Sequence, residues 1–132
     1  MHALGLPLTL HIGESRKEAN QLQELQRWRP RRIGHGVHLS KDALEYIVLN
    51  KIPLEMCLSS AVKAGMIESF ADHPGLELLR SGHPVCVCTD DPLNFSCTLS
   101  DECALAAQLL GHAGVDDMLE LQRKTLEYRF GL

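Results

Sequence analysis

Residues 85–93 read VCVCTDDPL: an apolar run that ends abruptly in two carboxylates and a proline. Three other stretches have the same form. They are LTLHIGES at 8–15, RRIGHG at 31–36 and LEMCLSS at 54–60. Each apolar run has the length of a strand, and helix-like sequence follows each one. Alternation of strand and helix implies parallel strands joined by crossover helices. The polar groups His11, Glu14, His35, Asp90 and Asp91 then fall where strands give way to loops. A barrel of parallel strands concentrates its chemistry on that rim.

The helices between the runs carry their own signals. Ser15 followed by Glu18 predicts a capping box, with Ala19, Leu22 and Leu25 as the apolar face. Ser40 predicts a second cap, ahead of a stripe of Leu44, Ile47 and Val48. The strands are expected at Leu8–His11, Arg32–His35, Pro53–Leu58 and Val85–Asp90. Gly75 to Ser81 reads as a short helix. Thr98 with Asp101 opens another that runs to Leu110, and Asp116 or Asp117 starts a last one ending near Tyr128. Successive strand side chains face opposite ways. With the branched apolar set turned toward the helices, His11, His35 and Asp90 are expected on the inner face, converging at one rim.

Composition narrows the function classes. At 132 residues the chain is long enough for one domain with a real core. A net charge of −4 argues against nucleic acid or an anionic membrane as the main partner. No apolar run reaches the roughly 20 residues of a membrane span, and no signal peptide is recognised. The cysteines number five, an odd count without a C-x-x-C pair, so no disulfide framework is expected and a reducing cytoplasm fits. Cys57, Cys86 and Cys88 read as small buried hydrophobes.

His11 and Asp90 are both competent zinc ligands, one through nitrogen and one through oxygen. Zinc makes water nucleophilic at neutral pH. Glu14 is placed to deliver a proton, and His35 to orient or deprotonate the water. Each signal has a bland counterpart. A histidine at a strand end is commonly structural, and Asp-Asp-Pro is commonly a turn or helix cap.

Taken together, the blocks resemble the adenosine deaminase family. LPLTLHIGES is similar to its strand ending His-Ala-Gly-Glu, and RRIGHGVHL to its Arg-x-Gly-His-Gly strand. LEMCLSS is similar to its Glu-Val-Cys-Pro segment, and VCVCTDDPLNFSCTLSDE to its Thr-Asp-Asp-Pro stretch. The resemblance implies a TIM (β/α)8 barrel, of which this chain, residues 1–132, corresponds to the C-terminal half with four parallel strands. It implies zinc held by His11 and Asp90, ring protonation by Glu14, hydroxide positioned by His35, and substrate contacts from Gly13 and Asp91. The implied reaction is hydrolytic removal of a 6-amino or 6-methylamino group from a purine nucleoside or nucleotide such as adenosine or N6-methyl-AMP. Lys63 is a candidate for a 5′-phosphate.

Two family ligands come from a His-x-His pair, and no such pair occurs here. Negligible activity is therefore expected of the chain alone. Leu8–Leu10 and Val85–Cys88 are expected to be open strand edges inviting self-association. The competing readings are a non-enzymatic half-barrel that dimerises or binds purines, and another metal-dependent amidohydrolase. The H-x-E and P-C-x-x-C signature of the zinc cytidine deaminases is absent, which excludes that fold.

Overall fold

The computed structural model describes residues 6–111 and 114–130. Four strands form one parallel sheet in sequential order: β1 (Thr9–Ile12), β2 (Arg32–His35), β3 (Leu54–Met56) and β4 (Val85–Val87). Helices α1 (Gln21–Trp28), α2 (Lys41–Leu49), α3 (Leu58–Lys63), α4 (Pro74–Arg80), α5 (Pro92–Phe95), α6 (Leu99–Leu109) and α7 (Val115–Glu127) connect and flank them.

The ladder register sorts the side chains into two faces. Leu10, Ile33, Leu54 and Val85 lie in one row across the sheet. Ile33, Leu54 and Val85 belong to the main core with Leu25 of α1, Ile47 of α2 and Leu76 of α4, and the partly buried Leu10 packs against it. Burying each such side chain contributes roughly 1.5–3 kcal/mol. The neighbouring row is His11, Gly34, Glu55 and Cys86, facing the concave side. The parity expected for β2 is therefore corrected. Ile33 points into the core, and Gly34, not Ile33, faces the concave side with His11.

Two expected elements shift for identifiable reasons. The helix expected from Ser15 begins only at Gln21, after Asn20 in a left-handed conformation. Glu18 makes no capping box, because its carboxylate accepts the Gly13 amide at 2.6 Å. Gln21 is recruited as well: it accepts the Ser40 amide at 2.6 Å and donates to the His38 carbonyl at 2.9 Å. β3 ends at Met56, and α3 follows where a longer strand is expected. The cap of α3 comes from 44 residues away, where the buried Glu102 carboxylate accepts the Leu58 and Ser59 amides. Val48, expected in the apolar stripe of α2, is 45% exposed.

The two sheet edges are unequal. No strand flanks β1 on its outer side among the described residues. The expectation of a second open edge at Val85–Cys88 is corrected by α7. Its Thr125 hydroxyl accepts the outward-facing Val87 amide at 3.1 Å. The chain beyond α7 continues to the concave face, where the Tyr128 carbonyl accepts from Arg32 at 2.7 Å. The Arg32 guanidinium also stacks 4.1 Å from the centroid of the Phe130 ring.

Candidate active site

His11, on β1, faces the concave side, and its ring needs the empty space above Gly34. A Cβ on Gly34 would lie 2.9 Å from the His11 ring. Gly13 follows with φ +74°, in close approach to Gly36 and Leu39. That turn brings Glu14 back beneath His11, Nδ1 to Oε1 3.3 Å. Period-2 geometry alone would send His35 toward the helices beside Ile12. Its backbone instead turns left-handed, with φ +63°. Its Nε2 thereby comes within 3.7 Å of the same Glu14 oxygen. The two imidazoles meet edge to face, centroids 4.9 Å apart.

One donor atom from each of His11, Glu14 and His35 lies within 4.8 Å of the others. Two imidazoles and a carboxylate form a donor set that suits a borderline cation such as zinc. Exposure divides their duties: the side chains of His11 and Glu14 are 58% and 44% exposed, that of His35 only 6%. His11 and Glu14 are open to a ligand, while His35 is fixed in the wall.

A cleft of about 470 Å³ extends from His11 and His35 along the ends of β2, β3 and β4. Asp90 lines it from the far side, at φ +61°. Asp90 is thus in the same cleft but outside the compact trio. Asp91 points away into a helix cap. One of its carboxylate oxygens accepts the Leu93 and Asn94 amides, and the other accepts the Asn94 side chain at 2.5 Å. Gly13 has its amide occupied by Glu18. Lys63 donates to the Phe95 carbonyl, tying α3 to α5.

The floor of the cleft holds groups that the sequence reading did not single out. Arg32 donates to Glu55 at 2.6 Å, and the Thr9 hydroxyl adds a bond to the same oxygen at 3.2 Å. Their shared parity with His11 was the available signal, hidden because β2 was read one residue out of phase. Cys57 and Cys88, read as plain hydrophobes, both line the cleft. Donation of a hydrogen bond to Cys88, and then burial, push the Cys57 thiol up. Burial pushes Cys86 up to about 12. All five thiols are free. His73, which lies outside the quoted motifs, is buried behind the site, and desolvation lowers it to about 4, with the nearby His35 as a further cause. Among the described residues no helix is long and apolar enough to cross a membrane.

The adenosine deaminase family model matches residues 1–130. Bovine N6-methyl-AMP deaminase is 33% identical over 96% of this chain, which spans 37% of that protein. An adenosine deaminase of Aliivibrio fischeri is 36% identical over 80% of this chain, covering 32% of its own length. The apo structure of the Arabidopsis thaliana N6-methyl-AMP deaminase superposes on 99% of this chain with a TM-score of 0.90 at 31% identity, covering 38% of that chain. An Arabidopsis structure complexed with IMP aligns with a TM-score of 0.89, also at 31% identity, over 98% of this chain and 38% of its own. The chain thus spans well under half the length of these relatives, and its sheet is a partial barrel.

Proposed function

The chain belongs to the adenosine deaminase family, and from that premise we propose that it carries the acid and water-orienting side of a zinc-dependent 6-aminopurine deaminase. The reaction adds water at C6 of a substrate such as adenosine or N6-methyl-AMP and releases ammonia or methylamine, leaving the 6-oxopurine. The convergence of His11, Glu14 and His35 on one carboxylate oxygen carries this reading. The IMP-bound Arabidopsis relative supports a purine in the cleft.

Each residue has a distinct task. Glu14, partly exposed beside His11, donates a proton to ring N1 as the nucleophile adds, a contribution of about 10²–10⁴ in rate. His11 and Asp90 would hold the zinc, which when bound supplies the Lewis acidity that makes water nucleophilic near pH 7. His35, locked in the wall, orients the attacking oxygen. The Gly13 backbone borders the purine, and Asp91 exchanges its Asn94 contact for a substrate atom. The Arg32–Glu55 pair holds the floor.

His11 and Asp90 supply only two ligands, so the chain by itself is proposed to turn over negligibly. The test is an assay of the zinc-loaded chain on adenosine and N6-methyl-AMP, alone and with the N-terminal portion of a relative supplied. Turnover only in the supplemented sample, abolished by Glu14→Gln, is the expected result. Absence of purine binding in both samples, read by NMR at His11 and His35, overturns the reading. The unflanked edge of β1 favours one further proposal, self-association through that edge, checked by sedimentation of the metal-free chain.

A further inference from the structure

Three cysteines stand on the concave side of β3 and β4, and none has a part in the chemistry proposed above. Successive strand side chains face opposite ways, so Cys57 shares the face of Glu55, and Cys88 that of Cys86. The two strands run parallel, with Glu55 opposite Cys86 and Met56 opposite Val87. The ladder continues one step further, because the Cys88 amide donates to the Met56 carbonyl at 2.9 Å. Cys57 and Cys88 are therefore the next pair across, and both line the cleft. The other thiols are placed differently. Cys86 stands opposite Glu55, Cys97 is turned to the Thr89 carbonyl at 3.7 Å, and Cys103 lies in the main core.

Adjacent strands set such neighbours about 4.8 Å apart, inside the roughly 4.4–6.8 Å between Cα atoms that a disulfide spans. The sulfurs lie on the same side of the sheet. Sγ of Cys57 is 4.0 Å from the Glu55 carbonyl, and Sγ of Cys88 is 3.6 Å from the Cys86 carbonyl. The Cys57 thiol also donates to the Cys88 sulfur. The backbone beside Cys57 is pinned, since Glu102 accepts the Leu58 amide at 2.9 Å and the Cys57 carbonyl accepts the Ala61 amide at 3.1 Å. No segment has to move to bring the two sulfurs together. Cys88 is partly open to the cleft, whereas Cys57 is buried.

We propose that Cys57 and Cys88 are a reversible dithiol–disulfide pair in the wall of the cleft, oxidised by a small peroxide. Cys88, the more open sulfur, attacks one oxygen of hydrogen peroxide. The O–O bond breaks, the first water leaves, and Cys88 becomes a sulfenic acid. The Cys57 sulfur then attacks the Cys88 sulfur. The S–O bond breaks, and a second water leaves with the Cys57 proton. Two thiols have lost two electrons and two protons to one peroxide, which becomes two waters, and an external thiol reverses the change. The bond ties the end of β3 to the end of β4, just before Asp90. Its bearing on catalysis rests on the placement of Asp90 in the deaminase site; its formation does not.

The metal-free chain is treated with hydrogen peroxide, its remaining thiols are alkylated, and it is digested without reduction. The peptides of Cys57 and Cys88 are expected to be joined, two hydrogen atoms lighter than their sum, and to separate on adding dithiothreitol. Cys57→Ser is expected to abolish the bond and leave a sulfenic acid on Cys88, trapped by dimedone. A cross-link that fits the folded register is expected to raise the urea midpoint of the oxidised chain. If Cys57→Ser does not fold, the peptide map of the unaltered chain decides. Cys57 and Cys88 still alkylated after peroxide, either one joined to another cysteine, or a midpoint lowered by the bond overturns the proposal. None of these readouts involves turnover, so failure of the deaminase assignment is seen separately, in the assays above.

Discussion

The two faces of this sheet are built from alternate residues of the same short strands, yet they do opposite work. The convex row of Leu10, Ile33, Leu54 and Val85 is apolar and sealed by helices. The concave face carries the Thr9–Arg32–Glu55 network and the His11–Glu14–His35 trio around a cleft. One face carries an apolar row, and the other gathers the charged and hydrogen-bonding groups around the cleft. Stability and chemistry are thereby separated by a single residue of register, and a one-residue slip would exchange them.

Substitutions on the two faces measure that separation. On the convex side, Leu54→Ala removes a side chain with no exposure from the centre of the sheet. It is expected to cost about 2–5 kcal/mol, read from the shift in urea midpoint at constant slope. A loss below about 1 kcal/mol would mean that the core row does not carry the fold.

His73 is buried at the N-cap of α4, and its contribution depends on pH. Burial lowers its folded-state pKa from 6.5 to about 4. As pH falls, the unfolded chain binds the proton first, so stability present above 6.5 is lost progressively toward 4. A shift of that size corresponds to about 3 kcal/mol. Burial lowers His83 too, with the same sign. Comparing urea midpoints of the unaltered chain and His73→Gln across pH 4–7 isolates the His73 part, which the variant is expected to lack.

On the concave side, Glu55→Ala leaves Arg32 without its carboxylate in a mostly enclosed floor. A loss of about 2 kcal/mol is expected, reduced from the fully buried case by the exposure that remains. Thr125→Val deletes the acceptor that covers the Val87 amide. It is expected to cost about 1 kcal/mol and to speed hydrogen exchange at Val87 more than at Leu54. Glu14→Gln completes the series. Its stability is expected to stay within about 0.5 kcal/mol, while deaminase turnover of the supplemented sample falls by the largest factor of all.

The strands and the polar groups at their ends were legible from sequence because those signals are local. An apolar run ending in His-Ile-Gly-Glu needs no distant information to read as a strand and a turn. What was hidden depends on distant partners. Glu102 caps α3 from 44 residues away, and Glu18 leaves its expected helix for the Gly13 amide. His73 gains its place only when α4 packs against β3 and β4. His35 is instructive in another way: inward was the expected direction, but alternation along β2 does not produce it. A backbone dihedral that no pattern of hydrophobicity encodes turns the ring into the cleft.

The same dihedral recurs at Asp90, so two residues proposed to face the reacting atoms both sit at positive φ. Side chains in that region carry a conformational penalty of order 1–3 kcal/mol that glycine escapes. Glycine would relieve that strain at the exposed Asp90, whereas at the buried His35 it would also open a cavity. Stabilising this protein and preserving its chemistry are thus competing instructions at residue 90, and a screen for heat resistance would erase the site first at that point.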